Sequence, residues 1–196
     1  MTVMPGMSRL FLDLCAGAAS AQAFYSPSTQ PESWHQRPPL PAHWSELVKL
    51  LVAQNPNSPT ALAALAQGAG TVVTGQQVGL FGGALLIPFK AATALARARQ
   101  ATAAGHPHVA IFWLATEDHD FAEIDHVAFP AGKGLEQLQY PRQDETAAAR
   151  PVGRIVIDDR ITPLIDRAAE LFGPSEATDA LTAAYRLGRT FAQAFA

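Results

Sequence analysis

Apolar positions recur along this chain with two periods, and the switches between them divide it into elements. From Met7 to Ala23, the residues Leu10, Leu14 and Ala18 share one helical face, which predicts a helix. Trp44 to Gln54 is a clearer amphipathic helix, with Leu47, Leu50 and Leu51 together. Ser58-Pro59 reads as the N-cap and first residue of another, reaching Gln67. Between the first two helices, Ser26 to Pro41 holds five prolines and reads as an irregular connection. Gly68 and Gly70 end the helical region, and Gly70 to Val73 is a short β-branched strand. An Ala-rich helical pattern then runs to about Arg99 or Ala104 before the apolar run Val109 to Leu114, which has the length of a buried strand.

Further along, Ile124 to Phe129 alternates like a strand, Ala131 to Gly134 is a turn, and Leu135 to Tyr140 reads as the returning partner. Gln143 to Arg150 is a linker, and Gly153 to Asp158 predicts one more strand. Ile161 to Phe172 and Glu176 to Ala196 predict helices. The last carries Leu187, Phe191 and Phe195 with no C-capping residue after them. Helices commonly finish with such a cap, so the sequence reads as cut short, with Phe191 and Phe195 expected to lack cover. Cys15, in an apolar stretch, is expected to be a small core residue.

The chemistry gathers at two strand ends. Val109 to Leu114 empties into Glu117, Asp118, His119 and Asp120. Such crowded carboxylates raise one another's pKa, and burial penalises them all. Upstream, Thr74-Gly75-Gln76-Gln77-Val78-Gly79-Leu80-Phe81-Gly82-Gly83 places four glycines in nine residues before a helix, a potential anion cradle. It matches neither the dinucleotide fingerprint nor a Walker loop. Strand, helix and strand have the spacing of a βαβ unit with parallel strands. Both motifs then emerge at the carboxyl edge of the sheet, where open α/β folds bind ligands. The plain alternatives are an acidic surface loop and a flexible βα loop.

Within this frame, Glu117, Asp118, His119 and Asp120 are the candidate catalytic residues. A carboxylate there can serve as base, and the His119 imidazole as proton shuttle. Thr74, Gln76 and Gln77 offer groups that orient a sugar or carboxylate, and Lys90 on the following helix can neutralise an anion. His119, Glu123 and His126 are spaced i, i+4 and i+7 like a metal set. Phe121, Ile124 and Val127 indicate a loop-to-strand path instead, so no metal is assigned.

These residues carry a resemblance. Thr74-Gly75-Gln76-Gln77-x-Gly79-Leu80-Phe81, Lys90, Phe112-Trp113, Glu117-Asp118-His119-Asp120-Phe121, Glu123 and His126 resemble the bacillithiol-biosynthesis cysteine-adding enzymes, the BshC family. So do Leu10-Phe11-Leu12-Asp13, Phe24-Tyr25 and Tyr185 to Phe191. One departure is Gly82-Gly83-Ala84 where relatives carry Thr-Gly-Pro, with a proline here only at Pro88; the helix then starts late, near Ile87, or is kinked. The resemblance implies an α/β fold, a Rossmann-like parallel-sheet core of the nucleotidyltransferase and class I synthetase kind, with N-terminal helices and a small β insertion. It adds Gly75, Gly79, Glu123 and His126 to the substrate-binding set of Thr74, Gln76, Gln77 and Lys90.

The activity it implies joins cysteine to glucosaminyl-malate, in the cytoplasm, by a homodimer assembled through a later helical region. This chain resembles only the amino-terminal part of such proteins and is expected to be inactive alone. The organisation expected is an N-terminal helical segment over 1–67, a βαβ half core over 68–130, and an insertion with helices over 131–196. The cofactor is unknown: activating a carboxyl group calls for energy, so ATP or another nucleotide fits, yet the sequence carries no nucleotide signature. Two other readings share these residues, a nucleotide-binding transferase with another substrate and a non-catalytic remnant.

Composition narrows the partners. The 196 residues suffice for a sizeable core. Only 16% are charged and the net charge is −3, without the basic cluster that nucleic-acid binding needs. No apolar run is long enough to span a bilayer. A single cysteine permits no internal disulfide, which suits a reducing compartment. Small molecules are the expected partners, with neither nucleic acid nor membrane.

Overall fold

The computed structural model describes residues 6–25, 39–141 and 150–196. The expected connection at Ser26 to Pro41 and the linker at Gln143 to Arg150 fall largely outside them. The chain divides into two compact units, one of Met1–Thr71 with Ala98–Val109, the other of Val72–Arg97 with Ala110–Ala196.

In the first unit, α1 (Arg9–Cys15) is capped by Ser8, whose hydroxyl accepts the Phe11 N–H at 3.2 Å. The single helix expected over Met7 to Ala23 is two: Gly17 takes φ +70° and separates α1 from α2 (Ala19–Gln22). That left-handed turn costs glycine little and ends a helix. Cys15 is exposed on the short α1, contrary to the core position expected of it. α3 (Trp44–Gln54) and α4 (Pro59–Ala66) run as expected, although the Ser58 side chain makes no capping bond. The Trp44 indole N–H donates to the Leu65 carbonyl at 3.1 Å and ties the two together.

β1 (Gly70–Gln76) and β2 (His108–Leu114) form a two-stranded sheet, joined in sequence by α5 (Leu86–Ala103). Gly70 N–H donates to Pro107 O at one end and Ala115 N–H to Gln76 O at the other. Both partners advance together, so the strands are parallel, as a helical crossover requires. β1 runs three residues further than its β-branched stretch suggested. The helix starts late, at Leu86, leaving a single 3-10 turn at Leu80–Gly82 to carry the chain between strand and helix.

After β2, the chain makes one turn of helix, α6 (Phe121–Ile124), where a loop running into a strand was expected. Asp120 accepts the Glu123 N–H and makes that turn possible. β3 (His126–Ala131) and β4 (Gly134–Gln139) pair antiparallel, from His126 opposite Gln139 to Ala131 opposite Gly134. The strand expected at Gly153 to Asp158 is instead a 3-10 turn, Val152–Arg154, followed by an extended stretch with one bridge, Val156 to Thr190. Backbone bonds from Ile157 N–H to Arg189 O, Gly188 N–H to Ile157 O and Phe191 N–H to Ile155 O flank that bridge, and the partner segment turns into a helix at Phe191.

α7 (Thr162–Phe172) ends at Phe172 as expected, before Gly173, but the final helix is again two, α8 (Glu176–Ala184) and α9 (Phe191–Phe195). Gly188, at φ +81°, lies in the break. Thr190 and Gln193 then form a reciprocal capping box that restarts the helix. Phe191 is fully buried, with ring-edge contacts to Tyr140 at 5.5 Å and Phe121 at 6.4 Å. Phe195 packs against this core and beside Phe112. Neither ring lacks cover, contrary to expectation. The core of the second unit thus joins the strand-end loops to the last helix, through Val78, Leu80, Ile124, Tyr140, Ile157 and Phe191.

Candidate functional site

One hydrogen-bond network connects the carboxyl ends of the two parallel strands. Lys90, on the second turn of α5, donates from Nζ to Gly75 O at 2.5 Å and to Gln76 Oε1 at 2.9 Å. The Gln76 amide donates to Gln77 Oε1. Gln77 Nε2 donates in turn to Asp118 Oδ2 at 3.1 Å and Glu123 Oε2 at 2.6 Å. A cation stands at one end of this chain and two carboxylates at the other, with carboxamides between. Gln77 satisfies one acceptor from each carboxylate, which keeps both close without direct contact.

The acidic loop is fixed from within and from outside. Asp118 Oδ1 accepts the backbone N–H groups of His119 at 2.6 Å and Asp120 at 3.1 Å. The Asp120 N–H, the Gln77 amide and the His119 N–H together hold the Asp118 carboxyl below its ordinary range, since each stabilises the ionised form. Val152 N–H reaches Asp118 O at 2.7 Å and Gly153 N–H reaches Thr116 O at 2.9 Å. This approach needs glycine: a Cβ on Gly153 would lie 2.5 Å from Thr116 Cβ. Glu117 is exposed and faces Arg154 across 3.8 Å.

Beside the network lies an open cleft of about 340 Å³, bordered by Gln76, Gln77, Glu123 and His126 and floored by apolar groups such as Ile87 and Val127. Gly79 and Gly83 complete the wall. The Tyr185 hydroxyl bridges that glycine turn, donating to Gly79 O at 2.9 Å and accepting the Gly82 N–H at 3.2 Å. Burial pushes the Tyr185 phenol up to about 12.

Over residues 2–196 the chain matches the family described as Bacillithiol biosynthesis BshC, N-terminal Rossmann-like domain. The chain belongs to the BshC family. Three curated relatives, each named "Putative cysteine ligase BshC", are similar along nearly all of it. The Koribacter versatilis protein is 38% identical and the Solibacter usitatus protein 36%, each across 98% of this chain. The Salinibacter ruber protein is 32% identical across 95% of the chain. The chain spans 38%, 38% and 37% of their respective lengths.

In this BshC domain, the residues singled out in the sequence fall into three groups. Gln76, Gln77, Gly79, Glu123 and His126 border the cleft. Asp118 joins it through Gln77 and Lys90 through Gln76, while Gly75 contributes its carbonyl. Thr74, Glu117, His119 and Asp120 are not among the lining residues. Thr74 instead borders a shallow groove of about 320 Å³ with Val72, Phe89 and Lys90, and His119 and Asp120 are exposed.

The anion cradle expected of the glycine-rich segment is not formed. The N–H groups of Gly79, Gly82 and Gly83 are bonded to Gln77 O, the Tyr185 hydroxyl and Leu80 O, and Lys90 points its amine back at the strand. Pro88, in the first turn of α5, has no N–H to offer. These residues do not fit a nucleotide's phosphates. Among the described residues no group of three His, Cys, Asp or Glu side chains is placed to hold a metal ion, and no helix is long and apolar enough to cross a membrane.

Sequence reasoning missed two residues. Asp125 is buried, at 6% exposure, with its carboxylate against His126 Nδ1 at 2.8 Å and Gln139 Nε2 at 2.9 Å. A carboxylate among Ile124 and Val127 signals a required partner, because an unpaired buried charge is costly. Tyr185 stands in a motif that carries the resemblance but was given no role there: its bonds close over more than a hundred residues of chain.

Proposed function

We propose that this chain supplies the amine-handling part of a cysteine ligase site in bacillithiol biosynthesis, at which cysteine is joined to glucosaminyl-malate. The observation that carries this reading is Gln77, which gathers Asp118 and Glu123 at one side of the cleft and connects them through Gln76 to Lys90. The carboxylates offer negative potential to the ammonium of cysteine, and the cation behind Gln76 lowers the cost of placing a carboxylate nearby. Glu117, His119 and Asp120 belong to the same loop and act from its solvent side. Thr74, Gly75 and Gly79 shape the strand end that the substrates approach. The cytoplasm suits a free thiol product, and a homodimer is the proposed assembly.

Family membership supports the reaction class, while the strand-end network supports the placement of the site. This stretch alone is proposed to be inactive, so the test uses the intact gene product. Cysteine, glucosaminyl-malate and a nucleoside triphosphate are supplied, and product is measured by liquid chromatography. Gln77→Ala is expected to slow ligation about ten- to hundredfold, the loss that follows when hydrogen bonds to charged groups worth about 1.5–3 kcal/mol are removed. Product formation at the unsubstituted rate with an unchanged melting temperature would remove the network from the site.

A further inference from the structure

Asp125 and His126 form a dyad at the edge of the cleft that the strand-end network does not use. Asp125 is the only charged side chain buried among the described residues. It sits at the end of α6, its N–H donating to Phe121 O at 3.0 Å and its carbonyl accepting the Tyr140 N–H at 2.7 Å. Its two carboxylate oxygens divide their partners: Oδ1 takes His126 Nδ1 at 2.8 Å and Oδ2 takes Gln139 Nε2 at 2.9 Å. Gln139 is the residue opposite His126 in the β3–β4 register, so the ladder that positions the ring also positions the residue that holds its carboxylate. Ile124 and Val127, both buried, anchor the dyad on either side.

A carboxylate can only accept, so His126 Nδ1 carries a proton whether the ring is neutral or charged. In the neutral ring the lone pair is therefore on Nε2. The imidazole remains partly open, at 42% side-chain exposure, and borders the cleft beside Glu123 and Gln77. This is the arrangement in which a fixed carboxylate sets the tautomer and orientation of a proton-accepting histidine. The carboxylates of the network are less suited to that work. Asp118 is stabilised as an anion by three hydrogen bonds, and Glu123 accepts from Gln77.

We propose that His126 is the base that receives a proton from the amine substrate in the cleft, with Asp125, held by Gln139, as its positioning residue. The assignment rests on the cysteine-ligase reading for the identity of that amine. The acyl partner enters as an activated carboxyl, an acyl phosphate of the malyl carboxylate formed away from these residues, which do not fit a nucleotide's phosphates. The ammonium of cysteine gives one proton to Nε2, and the freed lone pair attacks the acyl carbon. The C–N bond forms as the C–O bond to phosphate breaks, its electron pair leaving on the phosphate oxygen. That phosphate takes the second proton from nitrogen. Amide, hydrogen phosphate and imidazolium result, and the imidazolium returns its proton to solvent.

Two measurements on the intact gene product test this. With ¹⁵N-labelled histidine, nitrogen shifts of the neutral His126 ring, assigned by their loss in His126→Gln, are expected to show protonated Nδ1 and bare Nε2. In Asp125→Ala the ring is expected to become a mixture of tautomers. In the ligation assay, His126→Ala and His126→Gln are expected to lower kcat about a hundredfold or more, the usual contribution of a positioned base, with little change in KM. Added imidazole restores part of the rate to His126→Ala. Asp125→Ala lowers kcat, and Asp125→Asn lowers it as well, since an Asn that keeps its carbonyl toward the Gln139 amide turns its NH2 to Nδ1 and selects the other tautomer. A protonated Nε2, an unchanged kcat in both His126 variants, failure of imidazole to rescue His126→Ala, or a full rate in both Asp125 variants would overturn the proposal. If the unsubstituted protein makes no product, the cysteine-ligase reading fails, and the dyad stands or falls on the nitrogen shifts.

Discussion

At the scale of single residues, the carboxylates of this domain are kept apart by what donates to them. Asp118 is met by two backbone N–H groups and a carboxamide, Asp125 by an imidazole and a carboxamide, and Asp158 by the guanidinium of Arg160 and the Tyr140 hydroxyl at 2.8 Å. Only the last has a structural role away from the cleft. The Arg160 bonds chiefly, with Tyr140, hold the Asp158 carboxyl far below its ordinary 3.8. Because the folded carboxyl titrates below the unfolded one, its contribution is complete above about pH 4 and is lost as the pH falls further. Asp158→Asn is therefore expected to lower stability at pH 7 by on the order of 1 kcal/mol, since solvent screens a pair about a third exposed. The same substitution should flatten the acid limb between about pH 4 and pH 2. Urea titrations at several pH values measure both effects, and parallel acid limbs in the two proteins would contradict the assignment.

At the scale of elements, the acidic loop depends on a neighbour that comes from far along the chain. The turn Val152–Arg154 lies against Thr116 and Asp118, and its close approach is possible only because Gly153 has no side chain. Gly153→Ala places a methyl group 3.0 Å from Thr116 Cα as well as against its Cβ. Such overpacking typically costs about 1–3 kcal/mol. The variant is expected to unfold at lower urea concentration with an unchanged m-value, and to lose ligation rate as the loop shifts. Full stability in Gly153→Ala would show that the turn does not pin the loop.

This dependence also marks what could be read from the sequence. α3 and α7 were legible because amphipathic spacing and Pro or Gly punctuation agree. The βαβ spacing placed Gln77 and Asp118 at one sheet edge because a parallel crossover permits little else. The breaks at Gly17 and Gly188 were not legible, since apolar spacing continues across both and only the local φ interrupts it. Gly153, Tyr185 and the Asp125–Gln139 pairing were hidden for another reason. Each is specified by a segment distant in sequence, and periodicity reports only on neighbours.

At the scale of the molecule, the second unit is a Rossmann-like strand pair whose carboxyl edge is braced by the α6 turn, the β3–β4 hairpin and the last helix. That bracing gives one edge of the sheet a cleft, a carboxamide bridge and a histidine–aspartate dyad. Large apolar side chains remain exposed on the same unit, among them Val73 and Trp113 on the strands and Leu86 and Phe89 at the start of α5. Membership in the BshC family and the strand-end chemistry support the proposal that the locus carrying this sequence makes bacillithiol through this cleft. The most direct measurement is the bacillithiol content of cells by liquid chromatography, with the locus intact, deleted, and restored with either the natural sequence or Gln77→Ala. The account predicts that deletion abolishes the thiol, that the natural sequence restores it, and that Gln77→Ala restores little. Unchanged bacillithiol after deletion, or full restoration by Gln77→Ala, would contradict it.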